Sequence, residues 1–347
     1  MEKMISEKGV WSFIVPVSNV VIKDDLGAEF KIDRITLISR DKLPRIRRRI
    51  GFPYRFSDFN KENPNIKESY FDKYETFAFK RYTGDGKSNL IKVLAIVREE
   101  LALLALSQLG SGRRRLNAAP VIADERGYGW TNYFMINDKT RYWLSGLNAY
   151  EKHQRLVISK NWVKHQKNIF FMDLLDIIRG KIKVSKGWRQ DKKNAAILAG
   201  QSQMSTDLPQ AFLWNMIAIE LLLTKQGDHY SEKLPERAEA FLAWTIHWYI
   251  NSYDEKIKTT YKKRCDLVHS GKREIIKVED LLFSDTLLLN VITNIVKYPK
   301  IFKTKDDLIT FSDTIKAENF LGIKSKIRPK NFRCSIPVYS NDDLEKI

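Results

Sequence analysis

The sequence predicts an α+β chain. A basic, mixed α/β domain is expected over residues 1–200, then an all-α four-helix bundle over 205–300 and an extension over 301–347. Three observations carry that expectation. The first 80 residues hold β-branched and aromatic runs separated by turn signals. From Leu208 onward, apolar residues recur at helical spacing. Positive charge is concentrated at the front of the chain. Of the formal +18, residues 201–347 hold 22 Lys+Arg and 20 Asp+Glu, net +2; the remaining 38 Lys+Arg and 22 Asp+Glu give residues 1–200 a net +16.

Taken in order, Val10–Ile22 and Phe30–Ser39 read as strands on either side of the turn Asp24-Asp25-Leu26-Gly27, and Thr76–Tyr82 as another. A helix is predicted from Ser88 as N-cap to Gly110 just past its end. Its apolar positions wrap most of its circumference, which suits burial against a sheet. Tyr133–Ile136 and Tyr142–Leu144 read as strands and Gly127–Gly129 as a loop. Phe170–Ile178 is an apolar element stopped by Arg179-Gly180. The basic, Gly-containing stretch from 180 to 207 reads as a linker. Beyond it, Phe212, Met216, Ile219 and Leu223 mark a first helix, closed by Gly227. Pro235 starts a second helix, which runs through ERAEAFLAWTIHWYI. A third covers Asp254–His269 and ends at Ser270-Gly271; a fourth covers Val278–Val296, before Tyr298-Pro299. The tail is expected to be short and mixed, with a strand at Ser335–Tyr339.

Composition excludes several classes. At 43% hydrophobic and 29% charged, the chain is globular in type. Two cysteines, Cys265 and Cys334, cannot form a disulfide framework or a four-thiolate zinc site, which points to a reducing compartment. The start MEKMISEKGV is a poor signal peptide, and no stretch of about 18 uninterrupted apolar residues exists. A soluble cytoplasmic protein without a membrane partner is expected. A pI near 9.6 favours a polyanionic partner.

The segment Tyr261-Lys-Lys-Arg264-Cys-Asp266-Leu-Val-His269-Ser-Gly271 carries the chemistry. Histidine titrates near neutrality, so His269 can accept and return a proton at working pH. Arginine keeps its charge and binds phosphate oxygens bidentately. Together they supply what RNA cleavage by the 2′-hydroxyl needs, proton transfer and stabilisation of charge on phosphate, without metal or cofactor. Five positions along a helix rotate by about 500°, which leaves the two side chains roughly 140° apart. Either the helix ends near Val268, or a second subunit completes the site. Asp266, three residues before His269, is placed to orient the imidazole.

This segment resembles the HEPN superfamily, whose defining pattern is Arg, four to six residues, then His. "AIELLL" with Glu220, "LPERAEAFL" with Arg237, and "YKKRCDLVHSG" are similar to successive helices of the Apea-like HEPN group. The resemblance covers about 205–297. It implies a helical bundle acting as a homodimer with a composite, metal-independent ribonuclease site, in a toxin or antiphage-defence role. In that site Arg264 and His269 would be catalytic, and Glu220 and Tyr261 supporting. The position after the Arg, often Asn, Asp or His in catalytic members, is Cys265 here.

Three basic clusters stand out: Arg45–Arg49, Arg113–Arg115, and a run of Arg179, Lys181, Lys183, Lys186, Arg189, Lys192 and Lys193 with Trp188 among them. Interleaved cations and an aromatic suit single-stranded RNA, which offers phosphates and exposed bases. Tyr82-Thr-Gly84-Asp-Gly86-Lys87-Ser88 has the setting of a phosphate loop but has Arg81 where the pattern wants its first Gly. Glu29 and Lys31 with Asp24 and Asp25 imitate a metal-nuclease carboxylate set with the wrong separation. His153 and His165 lack clustered partners, and His247 sits among Trp244, Trp248 and Tyr249. The expected function is a metal-independent endoribonuclease. The alternatives are a non-catalytic HEPN dimerisation and RNA-binding module, and a metal- or nucleotide-dependent enzyme using the N-terminal half.

Overall fold

The computed structural model describes residues 8–51, 74–111, 114, 119–123, 130–136, 143–149, 155–242, 252–323 and 327–335. The chain divides into two compact units, Met1–Leu101 with Arg115–Trp162, and Ala102–Arg114 with Val163–Ile347. No described helix is long and apolar enough to cross a membrane.

The first unit is built on an antiparallel sheet. Its strands are β1 (Lys8–Ser18), β3 (Glu29–Lys31), β4 (Thr36–Ser39), β5 (Thr76–Asp85) and β6 (Val121–Ile122), in the order β3-β4-β5-β1-β6. β1 and β5 pair from Lys8↔Asp85 to Val17↔Thr76. β2 (Val20–Ile22) pairs in parallel with β9 (Leu156–Ile158), and β7 (Trp130–Ile136) pairs with β8 (Trp143–Ala149) as a separate antiparallel pair. Helix α1 (Leu43–Arg49) sets Leu43 and Ile46 into a core with Ile38, Tyr74, Phe77, Phe79 and Ala123.

Two sequence-predicted strands are broken in ways the structure explains. Val10–Ile22 is interrupted at Asn19, whose φ of 65° turns the chain between β1 and β2. Phe30–Ser39 is a hairpin, because the buried carboxylate of Glu100 accepts the backbone N–H groups of Asp33 (2.8 Å) and Arg34 (3.0 Å) at its tip. Glu100 lies on α2 (Gly86–Ala105), which is followed by a 3₁₀ turn, Leu106–Ser111. That helix begins at Gly86, so Ser88 is inside its first turn and is not the N-cap.

The second unit is helical: α3 (Lys160–Ile169), which begins in the first unit, α4 (Phe171–Ile178), α5 (Lys186–Met204), α6 (Leu208–Leu223), α7 (Tyr230–Phe241), α8 (Tyr253–Ser270), α9 (Val278–Lys297) and α10 (Lys305–Phe320). α9 is buried around most of its circumference and forms the centre, with α4, α6 and α7 against it. The expected linker at 180–207 is instead α5, capped by the Ser185 hydroxyl, which accepts the Trp188 N–H, and packed along α6. The middle of its buried face is made of small residues, Ala195, Ala196, Ala199 and Gly200. A Cβ on Gly200 would stand 1.7 Å from the Ala102 carbonyl oxygen, so glycine is required for that close approach. The helical unit therefore starts well before 205, and α10 extends it past 300.

Pro235 sits inside α7 rather than at its start. It lies near the N-terminus, where its missing N–H orphans the carbonyl of the exposed Ser231, open to water. The second half of that predicted helix, from 243, and most of the tail strand expected at Ser335–Tyr339 lie outside the described residues.

Candidate functional site

Helix α8 carries Arg264 and His269. Asp254 and Glu255 complement its dipole in the first turn, and Gly271 at φ 64° ends it, its N–H directed at the carbonyls of Asp266 and Leu267. Only Ile257 and Thr260 are buried, so most of its surface faces outward. The helix stays regular through Ser270 and does not stop near Val268. Within one chain, Arg264 and His269 therefore point in directions roughly 140° apart.

Arg264 faces α6. Its Nη2 donates to Glu220 Oε2 at 3.0 Å, and its Nε lies 2.9 Å from Oε1 in an ionic contact whose N–H is turned off the oxygen. Glu220 is 7% exposed. Burial pushes its carboxyl pKa up and Arg264 pulls it back, with burial the larger effect. Because Glu220 takes the Nε/Nη2 edge, the Nη1 end of Arg264 has no partner among the described residues. The Arg264 guanidinium also lies 6.0 Å from the Tyr261 ring, which stands 6.5 Å from Tyr230 of α7. The Tyr261 hydroxyl is held at a pKa of about 12, by burial first and then by its hydrogen bond to Cys265 and the nearby Glu220. It is a neutral phenol at working pH. Cys265 thus holds Tyr261 one helical turn below it.

Arg237 does not bind Glu220. It donates to Asp228 (2.6 and 3.1 Å) and to the Leu223 carbonyl (2.7 Å), closing the α6–α7 connection. His269 is exposed on the last turn of α8. Among the described residues no hydrogen bond joins it to Asp266, so the orienting role expected for Asp266 is not formed. The structure thus brings Arg264, Glu220, Tyr261 and Cys265 together and leaves His269 and Asp266 apart from them.

The basic run is dispersed around α4 and α5. Trp188 is 2% exposed and its indole N–H donates to the Phe302 carbonyl at 3.1 Å, so it cannot stack on a base. Lys192 is 1% exposed, with its ammonium 4.3 Å over the Trp188 ring and no hydrogen-bond partner among the described residues. Burial lowers its pKa to about 7, against a smaller opposing pull from Asp191. Arg179 and Lys181 both approach Asp176, at 3.7 and 3.1 Å. Arg189 and Lys193 are half-buried, which leaves Lys181, Lys183 and Lys186 as the exposed cations of the run.

Other signals resolve simply. β5 runs directly into α2, so no loop precedes Lys87. Glu29 and Lys31 share the exposed face of β3, and Glu29 accepts from Lys42 at 3.0 Å. Among the described residues no three His, Cys, Asp or Glu converge as metal ligands. Arg45 and Arg48 of α1 are exposed, and Arg49 is exposed over the Phe79 ring. A cleft of about 210 Å³ in the first unit is lined by Lys23, Asp24, Ser39, Arg40, Asp41 and Glu75, none of them a sequence-predicted site residue except Asp24. His153 and His247 lie outside the described residues.

Sequence reasoning missed the most buried ion pair among the described residues. Arg114, from the basic cluster Arg113–Arg115, is 2% exposed and chelates Asp285 of α9, which is fully buried, at 2.7 Å (Nε) and 2.6 Å (Nη2). It also donates to the Ser202 carbonyl and hydroxyl. Gln203 (3.1 Å) and Asn215 (2.7 Å) complete the Asp285 carboxylate. No local pattern marks Arg114; its partner lies 171 positions away.

No family model, curated protein or solved structure matches this chain.

Proposed function

We propose that the chain is a metal-independent endoribonuclease of HEPN type, acting as a homodimer, with a toxin or antiphage-defence role. One observation carries the reading. Glu220 fixes Arg264 by one edge and leaves Nη1 without a partner among the described residues, while the same helix presents an exposed His269 that has none among them either. A phosphate needs such a preoriented guanidinium, and a proton acceptor needs such an open imidazole. Because the two diverge on one regular helix, a second copy supplies the facing half of each site. The outward surface of α8, with Val268 47% exposed, supports that placement.

His269 takes the proton of the 2′-hydroxyl. O2′ then bonds to phosphorus, the P–O5′ bond breaks, and O5′ receives a proton from imidazolium. The products are a 2′,3′-cyclic phosphate and a 5′-hydroxyl. Arg264 holds the phosphate charge through this step. Neutral Tyr261 can donate a hydrogen bond but cannot act as a phenolate base at neutral pH. Purified protein incubated with total RNA and chelator should cut it, and His269→Ala and Arg264→Ala should each abolish both cleavage and growth toxicity. Cleavage surviving both substitutions refutes the assignment.

A second reading is a non-catalytic helical module that binds RNA. The neutralisation of Arg264 by Glu220 favours it. It predicts RNA binding lost with the exposed Lys181, Lys183 and Lys186, and no product at any pH.

A further inference from the structure

We infer that α9 carries a groove that reads the main chain of an extended peptide led by an aromatic residue, and that residues 332–335 of the same chain occupy it as a resident ligand. Asn290 and Asn294 are 2% and 0% exposed in the C-terminal half of a helix whose other buried residues there are Val291, Ile292, Thr293, Ile295 and Val296. Each binds one residue of the segment from both sides. Asn294 Oδ1 accepts the Arg333 N–H (2.9 Å), and its Nδ2 donates to the Arg333 carbonyl (2.9 Å). Asn290 Oδ1 accepts the Ser335 N–H (2.7 Å), and its Nδ2 donates to the Ser335 carbonyl (2.8 Å). The two amides stand in for a neighbouring β-strand. Their repeats match, since four helical residues rise about 6 Å and two extended residues about 6.6 Å.

The amides are set before any segment arrives. Asn294 Nδ2 also donates to the Phe241 carbonyl at 2.6 Å, and Asn290 Nδ2 to the Thr286 carbonyl at 2.7 Å. Such preorganisation reduces the ordering cost of binding. The main-chain bonds ignore side-chain identity, and Arg333, Cys334 and Ser335 are exposed. Selectivity falls on the residue before them. The Phe332 ring lies 5.2 Å from Tyr298, 6.0 Å from Phe311 and 6.3 Å from Phe241, in an aromatic pocket. The Arg333 guanidinium adds a bond to the Asn168 carbonyl. The partner is a protein segment with an aromatic residue first and N–H groups, hence no proline, at the first and third positions after it. Main-chain bonds supply affinity and one pocket supplies choice, as in strand-addition recognition.

The test uses full-length protein and a fluorescein-labelled peptide of residues 329–337 carrying Cys334→Ser. Phe332→Ala removes the anchor of the resident segment and should raise peptide affinity at least tenfold over the unaltered chain, whose groove is filled. Adding Asn290→Ala to that variant should lower affinity at least tenfold, as should replacing the peptide's Ser335 by proline. Ser335→Pro in the chain itself alters an exposed residue, opens the groove independently, and should also raise affinity, so failure of Phe332→Ala to fold leaves the proposal testable. Equal binding to all variants, or no binding to folded Phe332→Ala and Ser335→Pro chains, overturns it.

Discussion

Removing the carboxylate of Asp285 leaves the charge of Arg114, whose side chain is 1% exposed, buried in the helical unit with only the neutral Ser202 carbonyl and hydroxyl among its named partners. Asp285 accepts bonds from Arg114 Nε and Nη2, Gln203 and Asn215, at 2.6 to 3.1 Å. Breaking a buried pair by deleting one partner costs about 3–5 kcal/mol, because the remaining charge stays desolvated. The Gln203 amide loses a partner as well, adding about 1 kcal/mol or more. Asp285→Ala should therefore destabilise by about 4–6 kcal/mol, which corresponds to roughly 8–24 °C in Tm for a unit of this size. Replacing both partners together, as Arg114→Met with Asp285→Leu, removes the stranded charge and should recover most of that loss. Urea unfolding at pH 7 measures each variant. A loss below about 1 kcal/mol for Asp285→Ala, or a double variant as unstable as the single one, refutes the assignment of this network as the polar keystone of the unit.

Other expectations rest on equally specific contacts. Gly200→Ala drives a Cβ to 1.7 Å from the Ala102 carbonyl and should cost about 3 kcal/mol or more, whereas Gly187→Ala on the same helix meets nothing within 4 Å and should be neutral or slightly stabilising; thermal melts of the pair check this. Lys192 titrates near pH 7 when folded and at 10.5 when unfolded, so the unfolded chain holds the extra proton between those values and stability rises with pH across that window. Lys192→Met should flatten that rise and stabilise the protein at pH 7 by roughly 2–4 kcal/mol, measured by urea melts from pH 6 to 10. Arg264→Ala should cost about 1–3 kcal/mol by stranding Glu220, which is 7% exposed, while His269→Ala on the surface should change stability by less than about 0.5 kcal/mol. Activity loss in the histidine variant is then chemical, not structural.

What could be read from the sequence follows physical rules. α6, α8 and α9 lie within a few residues of their predicted bounds, because large apolar residues at helical spacing and a terminal Gly271 are strong local signals. α5 reads as a linker in the sequence, since its buried face mixes Ala and Gly with Trp188, Lys192, Ser202 and Gln203 and so shows no apolar stripe at helical period. α10 has a readable start, the reciprocal cap between Thr304 and Asp307, in a tail whose composition otherwise reads as short and mixed. The turn at Asp33-Arg34 depends on Glu100, and the burial of Arg114 on Asp285; such long-range pairings leave no trace in local pattern. At the candidate site, the residues were legible but their grouping was not. Sequence alone does not say which arginine Glu220 meets, and only packing assigns it to Arg264 and Arg237 to Asp228. The charge run at 179–193 concealed Trp188 and Lys192, whose burial comes from the surrounding tertiary structure.

The central claim is that Arg264 and His269 cut RNA through the 2′-hydroxyl. Its most direct test is end-group analysis of RNA incubated with the purified protein and chelator. The account predicts 2′,3′-cyclic phosphate and 5′-hydroxyl ends that vanish with His269→Ala. Intact RNA at every pH tested, or ends bearing a 5′-phosphate, would contradict it.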